Sequence, residues 1–231
     1  MERFEIFEQK NNVTFKNKDL LKQAFIHRSY LNENRDLGLG HNERLEFLGD
    51  AVLELVVTDF LYKKYPNYTE GELTAIRSAL VNAIIISEVA SEIGMNDYLL
   101  LSKGENKDNG KARQYILANT YEAFVGALYL DQGYDIAEKF ISKTILPRTE
   151  EIVKNKLWRD AKSLVQEKAQ EFVGVTPAYK VLSESGPDHE KNFTVGIYFG
   201  DALIAQGKGK SKQEGAQAAA ESALKVKNWL D

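Results

Sequence analysis

Apolar residues recur at spacings of three and four through most of the first two thirds of this 231-residue chain, the mark of amphipathic helices. A helix is predicted from Asn17 to Phe25, with Asn17 or Asp19 as its cap. Leu45, Leu48, Val52, Leu55, Val56 and Phe60 predict a longer one from Glu43 to Tyr65, ended by Pro66. A third opens at Thr69-Glu-Gly-Glu and is expected to run on through Leu73, Ile76, Leu80 and Ile84. Ile116–Leu130 and Tyr134–Leu146 complete the series, closed by Gly133 and Pro147 respectively. After Trp158 the period changes. A short helix over Lys162–Val173 precedes three strands, Ala178–Glu184, Asn192–Phe199 and Asp201–Lys208. The second strand alternates Phe193, Val195, Ile197 and Phe199 on one face. A last helix, Lys212–Lys227, presents Ala216, Ala219, Ala220, Ala223 and Leu224. The pattern predicts an all-α domain over 1–157 and a small α+β (α-β-β-β-α) domain over 158–231, joined by a polar hinge at Asn155–Asp160.

Composition then narrows the chemistry. An apolar fraction of 43% suffices for packed cores. The absence of cysteine excludes disulfides, thiolate zinc sites, iron–sulfur clusters and cysteine nucleophiles. The three histidines, His27, His41 and His189, are far apart in sequence, so a bound metal is expected on oxygen ligands, as Mg²⁺ or Mn²⁺. The first eight residues alternate charge with apolar side chains and lack the apolar stretch of a secretion signal. No apolar run approaches the ~20 residues of a membrane span. A soluble, cytoplasmic chain with no membrane partner is expected.

Glu43, Glu46, Asp50 and Glu54 fall at spacings of three, four and four, and so share one helix face. Like charges four apart cost a helix a few tenths of a kcal/mol each. A solvated acidic face is the commonest origin of such a stripe; a metal site is the other. Gly49, in the middle of this helix, marks close approach by another element. Asn119 and Glu122 are three apart on a helix that also carries the small residues Ala118, Ala123, Gly126 and Ala127. Two helices crossing at these small residues would bring Glu46, Asp50, Asn119 and Glu122 into one oxygen-rich site for Mg²⁺, suited to phosphodiester hydrolysis.

The run His41-Asn-Glu-Arg-Leu-Glu-Phe-Leu-Gly-Asp-Ala-Val-Leu53 resembles the signature of bacterial ribonuclease III. The resemblance continues through Glu70-Gly-Glu-Leu-Thr, Arg77-Ser-Ala-Leu-Val-Asn82 and Ile116-Leu-Ala-Asn-Thr-Tyr-Glu-Ala. It implies a homodimeric, Mg²⁺-dependent endonuclease acting on double-stranded RNA in rRNA and mRNA processing, with Mn²⁺ able to substitute. Products would carry 5′-phosphate and 3′-hydroxyl ends with short 3′ overhangs. By the same resemblance Glu46, Asp50, Asn119 and Glu122 hold the metal, with Asp50 and Glu122 catalytic. Glu43 and Glu70 line the RNA-facing valley, and Phe47 crosses the dimer interface. The family usually has Asp where this chain has Asn119.

In the second domain, Gly186-Pro-Asp-His-Glu-Lys-Asn-Phe193 and Gly207-Lys-Gly-Lys-Ser-Lys-Gln-Glu-Gly-Ala-Gln-Ala-Ala-Ala220 resemble a double-stranded RNA-binding domain. The resemblance assigns minor-groove contacts to Gln166, Glu167 and His189, with Ser163 one turn earlier on the same helix. It assigns phosphate contacts to Lys208, Lys210 and Lys212 in a strand-to-helix turn. Two alternatives stand beside this reading. One is a double-stranded-RNA binder whose cleavage is weakened or lost because Asn119 replaces Asp. The other is a helical Mg²⁺-dependent hydrolase of small phosphorylated substrates.

The formal charge of −4 sits oddly with a polyanionic partner. Its distribution resolves the difficulty. Residues 1–157 carry 20 basic and 24 acidic side chains, whereas residues 158–231 carry 10 of each, with three lysines within five residues at 208–212.

Overall fold

The computed structural model describes residues 2–107, 110–156, 158, 160–187 and 191–229. It divides into two compact units, Met1–Trp158 and Arg159–Asp231.

In the first unit α1 (Glu2–Asn11), α2 (Lys18–Ala24), α3 (Arg28–Glu33), α4 (Glu43–Lys64), α5 (Glu70–Leu80), α6 (Ala83–Glu92), α7 (Lys111–Gln132), α8 (Tyr134–Thr144) and α9 (Thr149–Lys154) follow in order. The Asn17 side chain caps α2 by accepting from the amides of Asp19 and Leu20. Thr69 and Glu72 form a reciprocal capping box at the start of α5. The single helix expected from Thr69 through Ile84 is two helices. Asn82 accepts from the amides of Ile84 and Ile85, so it starts a new helix rather than continuing the old one, and the axes differ by 45°. No single helix among the described residues is long and apolar enough to cross a membrane.

Helix α7 is the axis of this unit. α2, α4, α6 and α8 all pack on it, and from Tyr121 to Leu128 every residue but Glu122 is buried. Phe124 meets Phe7, Phe15 and Phe140 at centroid distances of 5.4, 5.3 and 5.0 Å, so the aromatic core is assembled around α7. Gly133, at φ 84°, lets the chain turn directly from α7 into α8.

The start of α4 is fixed by long-range pairing. The Asn42 amide donates to the Ile26 carbonyl (2.9 Å), and its buried side chain donates to the Ala24 carbonyl (3.1 Å). Ile26 in turn bridges to Leu100.

The second unit consists of α10 (Ala161–Val173), an antiparallel sheet of β1 (Ala178–Ser185), β2 (Asn192–Phe199) and β3 (Ala202–Gly209) in that order, and α11 (Lys212–Lys227). Val195, Ile197 and Phe199 are buried, as their alternation predicts. Three glycines let α11 lie on the sheet. A β-carbon at Gly209 would stand 2.5 Å from the Gly215 amide nitrogen, one at Gly215 2.8 Å from Val195 Cγ2, and Gly207 backs directly onto the main chain of Ala218 and Ala219. The weak helix former Gly215 is therefore there for close packing, and the Gly-Lys-Gly-Lys run is a packed strand end.

Candidate functional site

The candidate site forms where α4 crosses α7. A β-carbon on Gly49 would overlap the Glu122 carbonyl and lie 2.8 Å from the Gly126 nitrogen; one on Gly126 would lie 3.0 Å from the Gly49 nitrogen. The two glycines thus bring the backbones together, and the crossing sets the acidic face of α4 beside the Asn119–Glu122 face of α7.

Electrostatics show which side chains influence one another. Burial, followed by the charges of Asp50 and Glu46, pushes the half-buried Glu122 carboxyl up to about 8. Glu46 is raised by burial and by Glu43 and Asp50, while the polar Asn119 side chain beside it pulls the other way. Asp50 is raised by burial and by Glu54. Glu46, Asp50, Asn119 and Glu122 therefore act on one another as a cluster.

Among the described residues no three aspartate, glutamate, histidine or cysteine groups converge tightly enough to cage an ion on their own. The donor set nevertheless suits a hard divalent cation. It is all oxygen, it includes an amide oxygen, and its carboxyls are raised by burial first and by neighbouring acidic charge second, which a cation would offset.

Glu43 lies at the edge of this cluster, 3.9 Å from Arg28 Nη1 and 3.8 Å from His41 Nδ1. Glu70 is placed elsewhere. With Thr58, Leu61, Tyr62, Tyr68 and Arg77 it lines a cleft of about 450 Å³ against the C-terminal half of α4. Tyr62 is 12 residues beyond Asp50, roughly 18 Å along the helix, so one protomer does not bring Glu70 to the cluster. Phe47 is 82% exposed on α4, not part of the core.

In the second unit Gln166 and Glu167 are exposed side by side on α10, while the Ser163 hydroxyl donates to the capping carboxylate of Asp160 (2.7 Å). His189 lies outside the described residues. The three lysines do not share one turn. Lys208 belongs to β3, between two glycines that face α11, so alternation places it on the opposite face of the sheet from the helices. Lys210 donates its amide to Glu214 (2.8 Å), and Lys212, the first residue of α11, stands 3.6 Å from Glu184.

Two side chains at the rim of the carboxylate cluster were not singled out by the sequence reading. Arg28 reaches Glu43 from another helix, which local spacing does not report. Tyr115 precedes Asn119 by four residues, a spacing that was available in the sequence.

A carboxylate cluster on a glycine-mediated helix crossing, joined in one chain to an α-β-β-β-α unit, is shared with the endoribonuclease class that two family models match. Residues 17–149 match the ribonuclease-III-like family model and residues 161–227 the double-stranded RNA binding motif. The chain belongs to the ribonuclease III family and is an endoribonuclease. It is 45% identical over 220 residues to Ribonuclease 3 of Borreliella burgdorferi, covering 95% of this chain and 89% of the relative. With the Streptococcus thermophilus Ribonuclease 3 it shares 44% identity, over 94% of each chain.

Among solved structures, the nuclease domain of ribonuclease III from Campylobacter jejuni matches with a TM-score of 0.57 and 36% identity, over 64% of this chain and 97% of that one. A second structure of that domain matches at a TM-score of 0.54 and 37% identity, over 61% and 96%; it is described as flexible in a region involved in dimer formation.

Proposed function

We propose that the chain cleaves double-stranded RNA endonucleolytically with Mg²⁺ held by Glu46, Asp50, Asn119 and Glu122, Mn²⁺ being able to substitute. Residues 1–157 form the nuclease domain and residues 158–231 the RNA-binding domain. The observation that carries this reading is the Gly49–Gly126 crossing, which half-buries Glu122 beside Asp50 and Glu46, an acidic group that a divalent cation would favour in its ionised form. Bound Mg²⁺ supplies Lewis acidity and charge neutralisation for phosphodiester hydrolysis. Asp50 and Glu122 orient the attacking water, and the products carry 5′-phosphate and 3′-hydroxyl ends. Asn119 keeps an oxygen ligand but contributes no charge, so the Mg²⁺ requirement is higher than an aspartate there would give.

The active form in this reading is a homodimer built on α4. Phe47, Ala51, Leu55, Thr58 and Tyr62 are all exposed along one face of that helix. Antiparallel pairing of two copies about Leu55 sets Phe47 against the partner's Tyr62, at the cleft that Glu70 lines. Glu70 then faces the valley of the other protomer, and each protomer cuts one strand, which leaves the short 3′ overhang. That the similar Campylobacter nuclease domain has a region involved in dimer formation supports a dimeric form.

Gln166, Glu167, Ser163 and His189 meet minor-groove hydroxyls, and Lys210 and Lys212 meet phosphates. Lys208, on the far face of the sheet, is the weakest member of the set. Recognition is by A-form shape rather than base sequence, and the setting is cytoplasmic processing of rRNA and mRNA. The test is incubation with duplex RNA, duplex DNA and single-stranded RNA, with Mg²⁺ and with chelator. Metal-dependent cutting of duplex RNA alone is expected; retention without cutting overturns the nuclease reading in favour of a binder.

A further inference from the structure

Between Tyr115 and Leu128, three residues of α7 reach solvent: Tyr115, Asn119 and Glu122. The spacings of four and three place them in one strip along one helix face, and two of the three belong to the carboxylate cluster. Tyr115 extends that strip by one turn, roughly 6 Å from Asn119 along the axis. Its side chain is 59% exposed, and its hydroxyl has no hydrogen-bond partner among the described residues. A large aromatic side chain at that position contributes little to the core, because it is turned away from the packing that surrounds the rest of α7.

We propose that Tyr115 is a substrate-positioning residue of this nuclease, its hydroxyl hydrogen-bonding a ribose 2′-hydroxyl on the strand being cut, beside the scissile phosphate. The inference rests on the reading of the Glu46–Glu122 cluster as the cleavage site. In an A-form duplex the bases are paired and stacked, so an exposed ring approaching from outside meets the sugar–phosphate edge, where the wide minor groove displays 2′-hydroxyls. A phenol both donates and accepts, as a 2′-hydroxyl does. It is also neutral, so it can hold the strand beside a cluster whose carboxylates repel phosphate. Such a contact distinguishes RNA from DNA at the cleavage site itself, separately from the RNA-binding domain.

The test is a cycle on the full chain with Mg²⁺ and a short RNA duplex. Tyr115→Phe and Tyr115→Ala are compared with wild type on all-RNA substrate and on substrates carrying one 2′-deoxy nucleotide, scanned across the three positions either side of the cut. Tyr115→Phe is expected to raise KM about threefold to tenfold, the range for one hydrogen bond, with kcat within twofold. At one scanned position the 2′-deoxy substitution raises the wild-type KM by a similar factor and adds nothing to Tyr115→Phe. Because Tyr115 is exposed, both variants keep the wild-type Tm, so a KM change is not a folding defect. A Tyr115→Phe KM equal to wild type overturns the proposal, as does the absence of any position where the two penalties fail to add. If the wild-type chain binds the duplex without cutting, the nuclease reading has failed on its own. The same cycle is then read on Kd, where equal values for wild type and Tyr115→Phe overturn the Tyr115 contact. A chain that neither binds nor cuts overturns both.

Discussion

Gly49 of α4 and Glu122 of α7 touch through their main chains: no β-carbon fits at 49 without overlapping the Glu122 carbonyl. The same contact that brings the helices together sets the α4 carboxylates beside the Glu122 side chain. Stability and site chemistry therefore share one structural cause, and several consequences can be measured.

Gly49→Ala is expected to lose about 3 kcal/mol or more, because the overlap is with rigid backbone on both sides. Gly71, on α5, has open space around its α-carbon. Gly71→Ala should be neutral or gain about 0.5–1 kcal/mol. Urea unfolding of the two variants separates a packing glycine from a tolerated one; equal midpoints would contradict the crossing.

Glu122 titrates at about 8 in the native chain against 4.5 for an ordinary glutamate. The native state thus holds this proton more tightly than the unfolded chain. Stability falls as pH rises between those values, and the cost is complete above about 8. Glu122→Gln should resemble wild type near pH 4.5. At pH 9 it should be more stable by about 1–2 kcal/mol, roughly 3–6 °C in Tm, the figure being reduced for the water that reaches a half-buried carboxyl. Added Mg²⁺ at pH 8 should raise the wild-type Tm and leave the variant nearly unmoved. Parallel pH profiles would show that Glu122 is not the strained acid.

The Asn119 side chain favours the ionised form of the Glu46 carboxyl. Asn119→Asp removes that favourable neighbour and adds a fourth acid, so the metal-free chain should melt lower, most clearly above pH 7. In return the Mg²⁺ concentration for half-maximal cleavage should fall several-fold. An unchanged Mg²⁺ midpoint would take residue 119 out of the ligand set.

Phe47→Glu places a charge at each end of the proposed antiparallel seam, where a large exposed ring would otherwise be buried. Wild type is expected to sediment as a dimer and the variant as a monomer. A variant that remains dimeric would move the interface away from α4.

Lys212 and Lys208 sit on opposite faces of the second unit. Lys212→Ala should weaken duplex-RNA binding and reduce the slope of log K against log salt by about 1. Lys208→Ala should change neither. Equal effects would mean that the RNA reaches both faces.

Much of this was legible in the linear chain because it is local. The three-four spacing of Glu43, Glu46, Asp50 and Glu54 follows from helical period alone, as does the apolar face of α4. The alternation in β2 likewise gave its buried side without reference to any neighbour. The break between α5 and α6 is also local, since the Asn82 side chain caps the amides of Ile84 and Ile85, but the unbroken apolar spacing masked it.

Sequence by itself determined the elements, the acidic stripe, the glycines that permit a close crossing and membership of the ribonuclease III family. The tertiary structure decided which acids meet. Glu122 is 72 residues from Asp50, and only the packing of α7 against α4 gives it the burial and the neighbouring charges that raise its pKa. Glu70, though acidic and near in sequence, was carried to the other end of α4, and Lys208 to the other face of the sheet. Helical and strand periods fix the direction of a side chain within its own element. Which surface it then faces depends on contacts between residues far apart in the chain, and those exist only once the core has closed.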